Sequence, residues 1–409
     1  MPTADWLADA SPALRLVIAT SWLAPDSWRD HQEHAIRAAI AAGPDWAEYL
    51  QLVHRHQVTA LSWAALSRTP GIEIPDPVKQ RLRQLSDSCR ILAMQHSLLL
   101  AELLKEFSRS DIPVVPLKGP ILSFQLYGDI GLRQSSDLDI VVAPANLKKA
   151  QICIENLGWK LDSMQTALSP RQWDALVRTE HHINFMHSQT GRGLELHWRN
   201  HWETSDVTLA WQARSTDFVW QGISVKALHP GDLALYICKH GGFHTWSCAK
   251  WIGDLARAHA IGLVDWRSAF DFAKELAQEK LLLSGLYLLN RVYGLALPDL
   301  PELASQPEAS WLTAMPLQAL KSFEEPGPGR VSWASFLHKV RRQRYERKLC
   351  PRKPWRQFFD QLLYCREDFR VFPLPDSLFW AYKPLRPFLW LYRWARQKWM
   401  VDQPQLVSE

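Results

Sequence analysis

The sequence predicts an α+β fold in which a small mixed-sheet α/β core lies between helical flanks. Two observations predict it. Before residue 110 and after residue 227, apolar residues recur at the three- and four-residue spacing of amphipathic helices. Between these flanks, short β-branched runs are bounded by glycine turns and separated by single helical stretches, which is typical of strand–helix units.

The N-terminal flank, residues 1–110, is predicted to be helical. Leu14, Val17, Ile18 and Trp22 lie at helical spacing, and residues 78–108 favour one long helix after a loop at 70–77. The α/β core, residues 111–226, then begins with a strand at 114–117. Pro120 suits the first position of a helix over 121–127, which Gly128 and Gly131 end.

The remaining elements follow from the same signals. A strand starts at Asp137, a helix runs from Pro144 to Leu157, and strands are predicted at 159–161, 183–186 and 194–199, the last two as a hairpin. Residues 227–325 form a helical domain, with helices at 230–242, 247–260, 265–279 and 281–293. A Pro-Gly-Pro-Gly linker at 326–329 opens a basic, Trp-rich C-terminal extension, residues 326–409.

Asp137 and Asp139 are the most informative residues of the chain. They lie two residues apart at the start of a strand, so their side chains point to the same face. Two such carboxylates form half of a Mg²⁺ site, with Mn²⁺ as an alternative ion. The competing structural interpretation is a capped turn before a buried strand.

Upstream lies a turn suited to phosphate. Gly119 leads into a helix N-terminus, whose backbone N–H groups attract anions. Lys118 and Arg133 would neutralise a triphosphate, and Ser136 directly precedes the acid pair. Downstream, Glu195 and His197 share one face of a predicted strand, so Glu195 is a candidate third carboxylate for a two-metal phosphoryl transfer. A solvated strand face is the alternative.

These motifs resemble the nucleotidyltransferase superfamily over about residues 113–263, and more narrowly the bacterial family of uncharacterised nucleotidyltransferases. In order they are Leu117-Lys118-Gly119, Tyr127, Arg133, Asp137/Asp139, Glu195-Leu196-His197-Trp198, and a helical segment with His240, His244, Trp246 and Asp254. The wider superfamily has Gly-Ser before its acids. Here Pro120 follows Gly119 and has no N–H to donate, so Lys118 is expected to take the role of the serine.

The resemblance implies a nucleotidyltransferase palm and transfer of a nucleoside monophosphate from an NTP, with ATP expected, to an acceptor hydroxyl. The acceptor would be a small molecule, a peptide or a glycan precursor. Asp137, Asp139 and Glu195 would be catalytic and hold Mg²⁺, and Lys118, Gly119, Arg133 and Ser136 would bind the nucleotide. The remaining motif residues, which would line the acceptor pocket, are Tyr127, His197, His240, His244 and Asp254.

Histidine spacing leaves a second interpretation open. His240 and His244 are four residues apart and share a helix face, which is compatible with Zn²⁺, but two glycines lie between them and a metalloprotease glutamate is absent. Lining the nucleotide or acceptor pocket is the favoured role, and plain packing is the third. His181 and His182 precede a strand and are expected near Glu195.

Composition indicates the cellular compartment. The six cysteines are scattered and never in Cys-x-x-Cys spacing, which favours reduced thiols in the cytoplasm. The N-terminus has no basic region followed by an apolar core, so no secretory signal is predicted, and no run of 18 apolar residues predicts a membrane span.

Residues 330–400 differ from the rest. They hold 17 Lys and Arg against 5 Asp and Glu, a net charge of +12, whereas the whole chain carries only +5. Trp380, Trp390, Trp394 and Trp399 are interleaved with basic residues. The favoured interpretation is a helical segment that packs its tryptophans inward and extends its cationic heads to solvent. The alternatives are peripheral contact with an anionic inner-membrane surface, and nucleic acid as the less favoured partner.

Two rival functions stay open. The first is a non-catalytic nucleotide-binding or scaffold module of a biosynthetic or membrane-associated complex, although a scaffold has no reason to cluster three acids. The second is a transferase that modifies nucleic-acid ends, which the charge of the C-terminal extension permits.

Overall fold

A computed structural model of the protein describes residues 5–161, 168–199, 205–305, 310–322, 333–351 and 363–401. The expected α+β fold with helical flanks is confirmed: the chain contains a mixed five-stranded sheet and a two-stranded sheet, with helical segments before and after them in sequence. The predicted linker at 326–329 lies outside the described residues.

The helices have the following bounds. The first nine are α1 (Pro12–Thr20), α2 (Arg29–Ala41), α3 (Trp46–Arg55), α4 (Thr59–Arg68), α5 (Asp76–Arg109), α6 (Pro120–Tyr127), α7 (Leu147–Asn156), α8 (Pro170–Thr179) and α9 (Ser205–Arg214). The later ones are α10 (Pro230–Phe243), α11 (Ala249–Ala260), α12 (Trp266–Leu276), α13 (Glu279–Tyr293), α14 (Pro301–Ser305), α15 (Ser310–Lys321), α16 (Trp333–Leu349), α17 (Arg366–Val371) and α18 (Tyr382–Val401).

The strands are β1 (Val114–Pro116), β2 (Asp137–Val142), β3 (Trp159–Leu161), β4 (His182–His187), β5 (Gly193–His197), β6 (Thr216–Trp220) and β7 (Ile223–Ala227). The large sheet has the order β1-β2-β5-β4-β3, and β6 and β7 form the small sheet. Strand β4 is antiparallel to both β3 and β5, with His182 opposite His197 and Asn184 opposite Glu195.

Most predicted elements are confirmed within a few residues, including the long helix α5, strand β2 and the β4–β5 hairpin. Helix α8 and the β6–β7 hairpin were not predicted. The signal for α8 was available, because Ser169 caps the helix, Pro170 occupies its first position and Gln172 completes a capping box. The hairpin connects through Gln221 and Gly222, both at positive φ, but its strands are largely exposed, so their hydrophobic pattern is weak.

The chain divides into two compact units. The first comprises residues 1–140, 211–324 and 345–352, and the second comprises 141–210, 325–344 and 353–409. The four-domain division made from sequence is not tested by this result and stays a prediction.

The first unit is built around helices α10 and α13, which are buried along almost their whole length. They approach closely at Gly285, where a Cβ would lie only 2.6 Å from the Cys238 sulfur. Cys238 is one of six free thiols in the structure. The apolar burial of these helices makes a rigid base for the motif residues that α10 and α11 carry.

The second unit has a core of its own in which α8 packs against the C-terminal extension. Its buried members are Ala175, Tyr364, Phe369, Phe379, Tyr382 and Leu389. Gln172 donates a 2.9 Å hydrogen bond to the Tyr382 hydroxyl, and Arg386 pairs with the buried Asp368 at 2.7 Å. The extension is therefore anchored by both apolar burial and polar contacts.

Part of this extension is exposed. Trp380 and Trp390 are 61% and 54% exposed, so the prediction that the tryptophans pack inward is wrong for these two. The side chains of Trp394 and Trp399 lie outside the described residues. Among the residues that the structure describes, each helix is too short or too polar to cross a bilayer.

Candidate active site

The turn between β1 and α6 has the backbone geometry that its sequence predicts. Gly119 has φ +75° and ψ −143°, a conformation that residues with a Cβ rarely adopt. Pro120 occupies the first helical position, and Gly128 ends α6 in the left-handed conformation. The turn thereby places Lys118 and the start of α6 at the beginning of β2.

Both acids of β2 lie beside Lys118. The Lys118 ammonium is 3.1 Å from Asp139 Oδ1 and 3.9 Å from Asp137 Oδ1. The Asp139 side chain is 1% exposed and that of Asp137 is 25% exposed, so the pair extends from the interior to the surface. Leu117 N–H donates to the Asp139 carbonyl at 3.0 Å, which fixes the turn to the strand.

The loop before β2 is also held to these acids. Ser136 Oγ donates to Asp137 Oδ1 at 3.1 Å, and Ser135 Oγ donates to the Asp137 carbonyl at 2.7 Å. These contacts fix the backbone direction at Asp137, so the first carboxylate enters the site from an ordered position.

Arg133 is placed differently from an exposed phosphate ligand. Its Nε donates a 2.8 Å hydrogen bond to Asp254 Oδ2, and both side chains are buried. Burial by itself opposes the charge of Arg133, but the adjacent Asp254 carboxylate outweighs it and raises the arginine pKa. The hydroxyl of the motif residue Tyr127 is buried nearby, and burial followed by the charge of Asp254 raises its pKa well above the usual value.

His240 and His244 meet Trp251 in an aromatic cluster. The ring centroids of the two histidines are 4.9 Å apart, and each lies about 5 Å from the Trp251 ring. Gly241, between them, is required by packing, because its Cβ would lie 2.4 Å from the Trp246 ring. Burial, and then the charge of Lys118, holds the pKa of His240 well below its usual value, so this imidazole is neutral at pH 7.

Zinc at His240 and His244 finds no support in the donor geometry. Among the described residues, neither histidine belongs to a group of three close metal-ligating side chains. The four-residue spacing is present, but within the described parts of the chain no third side chain completes a zinc site with them.

Lys250 holds the loop before β2 to the end of helix α3. Its ammonium is buried and donates to the Gln57 side chain and, at 3.1 Å, to the Gln134 carbonyl. Burial followed by the charge of Arg133 lowers the Lys250 pKa to about 8. Lys250 lies between His244 and Asp254 in the helical segment of the family resemblance, but nothing in the sequence indicated Gln57 as its partner.

In the second unit, the β4–β5 hairpin gathers the other predicted site residues. Glu195 Oε2 lies 3.1 Å from His197 Nε2, and His182 Nε2 lies 3.9 Å from Glu195 Oε1. The donor atoms of His181, His182 and His197 lie within 4.8 Å of one another. The expected neighbourhood of these histidines and Glu195 is therefore confirmed.

One comparison with known proteins found a match. A family model described as "Uncharacterised nucleotidyltransferase" matches residues 42–294, more than half of the chain. The match includes helices α3 to α5, which the sequence resemblance did not cover. Searches of curated proteins and of solved structures gave no match.

Proposed function

The chain belongs to the uncharacterised nucleotidyltransferase family, and from this premise we propose that it transfers a nucleoside monophosphate from an NTP, with ATP as the expected donor, to an acceptor hydroxyl. Pyrophosphate is the second product. The observation that carries the proposal is the contact of Lys118 with Asp137 and Asp139 at the end of a glycine turn. This combination offers a cation site and a phosphate site within one short stretch of chain.

The residues present fit a divalent cation. Asp139 is a buried carboxylate that already has an ammonium group 3.1 Å away, so the site favours positive charge. Glu195, on β5, is proposed as the third acid. Mg²⁺ or Mn²⁺ bound by Asp137, Asp139 and Glu195 would neutralise phosphate charge and lower the pKa of the acceptor hydroxyl.

The phosphates would be held by the turn and the loop before β2. Lys118 would shift from the carboxylates to the phosphates as the nucleotide enters, and the backbone at Gly119 would approach them closely because no side chain is present. Ser136 would donate a further hydrogen bond. Arg133 would act indirectly. Its hydrogen bond to Asp254 would keep the loop in position, and its charge would add positive potential at the site.

The reaction would be an in-line displacement at the α-phosphorus. The acceptor oxygen forms the new bond, and the bond from phosphorus to the bridging oxygen of pyrophosphate breaks. Glu195 would take the acceptor proton, and His197, 3.1 Å from its carboxylate, would orient it. Tyr127, His240, His244 and Asp254 would form the floor of the acceptor or nucleotide pocket. The acceptor class would be a small molecule, a peptide or a glycan precursor.

Pyrophosphate release tests the proposal. Each of the four NTPs would be supplied with Mg²⁺ or Mn²⁺ and with a cell extract as acceptor source. Release should depend on Asp137 and Asp139, so that Asp137→Asn and Asp139→Asn each abolish it while Asp87→Asn, at an exposed acid on α5, does not. Release that persists in both site variants would contradict the assignment of the acids.

A non-catalytic module is the second candidate function. It would bind nucleotide through the same turn and serve as a scaffold. The exposed tryptophans of its C-terminal extension would contact the anionic cytoplasmic surface of the inner membrane. Calorimetry separates the two: Mg-NTP binding without consumption by any extract supports the module. Nucleic acid is the less favoured partner, and steeply salt-dependent binding of DNA or RNA would support it.

A further inference from the structure

A cleft of about 500 Å³ lies in the first unit beside the loop that leads into β2. Its volume is within the range of small-molecule sites in proteins, roughly 300–1,000 Å³. One wall comes from the end of α3 and from α5, through Arg55, Gln57, Cys89, Leu92 and Ala93. The rest of the lining comes from the start of α6 and the loop before β2, through Pro120, Ile130, Arg133, Gln134, Ser135 and Ser136.

The cleft lies beside the proposed catalytic acids. Ser136 lines it, and the next residue along the chain is Asp137, to which the Ser136 hydroxyl donates at 3.1 Å. A molecule in the cleft would therefore lie next to the position proposed for the NTP phosphates. The sequence match to the family model starts at residue 42, so both walls lie inside the matched region.

The lining combines apolar walls with amide donors. Leu92, Ala93 and Ile130 supply apolar surface. The Gln134 side-chain oxygen accepts a 2.8 Å hydrogen bond from Thr59 N–H, and the Gln57 side-chain oxygen accepts one from Lys250. Because both oxygens accept hydrogen bonds within the protein, these two glutamines would offer their NH₂ groups to a ligand as donors.

We infer that this cleft binds the nucleobase and ribose of the donor NTP. A nucleobase has flat faces that suit apolar walls, and its edge carries ring nitrogens and carbonyl oxygens that accept from amide NH₂ groups. Its ribose would lie toward Ser136 and its phosphates toward Asp137. The inference rests on the proposed function for the identity of the substrate, but its binding experiment does not depend on catalysis.

Lys250 would make this recognition rigid. Its buried ammonium contacts the Gln57 side chain and the Gln134 backbone, and both residues line the cleft. One cation thus ties together the two residues that carry the amide groups. A fixed spacing of donors lowers the entropy lost on binding and favours one base over the others.

Cys89 provides a native reporter for the cleft. It lines the wall as a free, partly buried thiol, and burial raises its pKa, so its alkylation is slow but measurable. Cys365, also partly buried, belongs to the second unit and serves as an internal control. Adenosine, guanosine, cytidine and uridine are the probes, and peptide mass spectrometry gives the alkylation rate at each thiol.

At least one nucleoside should slow alkylation of Cys89 by fivefold or more and leave Cys365 unchanged. The same nucleoside should bind Asp137→Asn/Asp139→Asn protein with an affinity within about threefold of the wild type, measured by calorimetry, because the cleft lies beside the acids and does not include them. The absence of both protection and binding for all four nucleosides would overturn the inference.

Cleft-filling variants give an independent readout. Ala93→Trp should weaken nucleoside binding and raise the KM for NTP by more than tenfold, with a much smaller change in kcat. Leu92→Trp is the second variant, used if thermal melting shows that Ala93→Trp is unfolded. Leu98→Trp is the matched control, because Leu98 is on the same helix, is 73% exposed and does not line the cleft. Unchanged nucleoside binding in both cleft variants would overturn the inference.

The two proposals fail in distinguishable ways. Acid-dependent pyrophosphate release with no nucleoside binding, or with cleft variants that raise only the KM for acceptor, would retain the function and assign the cleft to the acceptor. Nucleoside binding in the cleft without release under any condition would support the inference and contradict the transferase activity.

Discussion

Arg133 Nε donates a 2.8 Å hydrogen bond to Asp254 Oδ2, and the two side chains are only 4% and 2% exposed. The pair joins the loop before β2 to helix α11, across 121 residues of sequence. Removing one partner leaves an uncompensated buried charge, which costs about 3–5 kcal/mol of unfolding free energy. The pair therefore determines whether the loop stays where the acids need it.

We expect Arg133→Met and Asp254→Leu each to destabilise the protein by several kcal/mol, and the double variant to recover part of the loss. Chemical denaturation of the four proteins would give the coupling free energy. The exposed pair Arg90–Asp129, at 3.0 Å, is the control and should give about 0–1 kcal/mol. Equal coupling for the two pairs would contradict the structural role assigned to Arg133.

Lys118 should oppose metal binding while it assists turnover. Its ammonium lies 3.1 Å from Asp139, so Lys118→Gln removes a positive charge that competes with a divalent cation. We expect Lys118→Gln to bind Mn²⁺ several-fold more tightly and to release pyrophosphate at least tenfold more slowly. Mn²⁺ titration followed by electron paramagnetic resonance gives the first quantity. Lys118→Arg should keep weak metal binding, and weaker Mn²⁺ binding by Lys118→Gln would contradict the competition.

Lys250 should give the folding stability a specific pH dependence. Burial lowers its pKa from 10.5 in the unfolded chain to about 8 in the folded protein. Below pH 8 both states are protonated and the cost of burying the charge is complete. Between pH 8 and 10.5 the unfolded state alone keeps the proton, so the cost of burying the charge is progressively removed. The unfolding free energy therefore increases with pH, by up to about 1.4 kcal/mol per pH unit.

Comparison with Lys250→Met isolates this contribution from the buried thiols and tyrosines that also titrate at high pH. The difference in unfolding free energy between the wild type and Lys250→Met should increase by about 1 kcal/mol per pH unit between pH 8 and 10. Urea denaturation at pH 7, 8, 9 and 10 measures it. A difference that stays constant over this range would show that the Lys250 pKa is not lowered.

Much of the site could be predicted because its signals are local. Gly119, Pro120 and the Asp137-Leu138-Asp139 run each specify backbone geometry or strand face within a few residues. The proximity of His182 and His197 to Glu195 follows from a hairpin whose two strands and turn are visible in the sequence. Family resemblance then supplied the chemistry that these local patterns leave open.

The rest depends on contacts between residues distant in sequence. Arg133 has the composition of a phosphate ligand, and only the folded chain places it against Asp254. Gln57 and the cleft beside it arise from packing of α3 and α5 near the loop before β2. Likewise, Trp380 is exposed because it is not part of the core that α8 forms with the C-terminal extension. The residue type alone does not predict this exposure.

Close packing of α11 against α1 gives a stability prediction inside the family-matched region. A Cβ at Gly253 would lie 2.4 Å from the Ser21 carbonyl oxygen, which is backbone and cannot move without shifting α1. Gly253→Ala should therefore lower the unfolding free energy by about 1–3 kcal/mol, although alanine is the better helix former. Gly131→Ala should cost less, because a Cβ there would lie 3.2 Å or more from its nearest neighbours, which are side-chain atoms of Arg90 and Asp129. Thermal denaturation would rank the two variants, and the reverse order would contradict the packing argument.

The exposed aromatic face of the C-terminal extension should bind anionic membranes. Phe388, Leu391 and Tyr392 on α18 are at least half exposed, and with Trp380 they form apolar surface on the most basic part of the chain. We expect sedimentation with vesicles containing 30% phosphatidylserine, and little with phosphatidylcholine alone. Phe388→Asp/Leu391→Asp should reduce this binding by more than tenfold. The variant removes two apolar side chains that would insert, and its aspartates are repelled by the anionic lipid.

Leu98→Asp is the matched control for that experiment, since Leu98 is equally exposed but belongs to helix α5 of the first unit. It should leave vesicle binding unchanged. Two of the arginines on α18, Arg386 and Arg393, already contact Asp368, so charge alone should bind weakly. Binding that survives in Phe388→Asp/Leu391→Asp but disappears at 0.5 M salt would therefore point to electrostatic attraction without aromatic insertion, and would contradict the prediction.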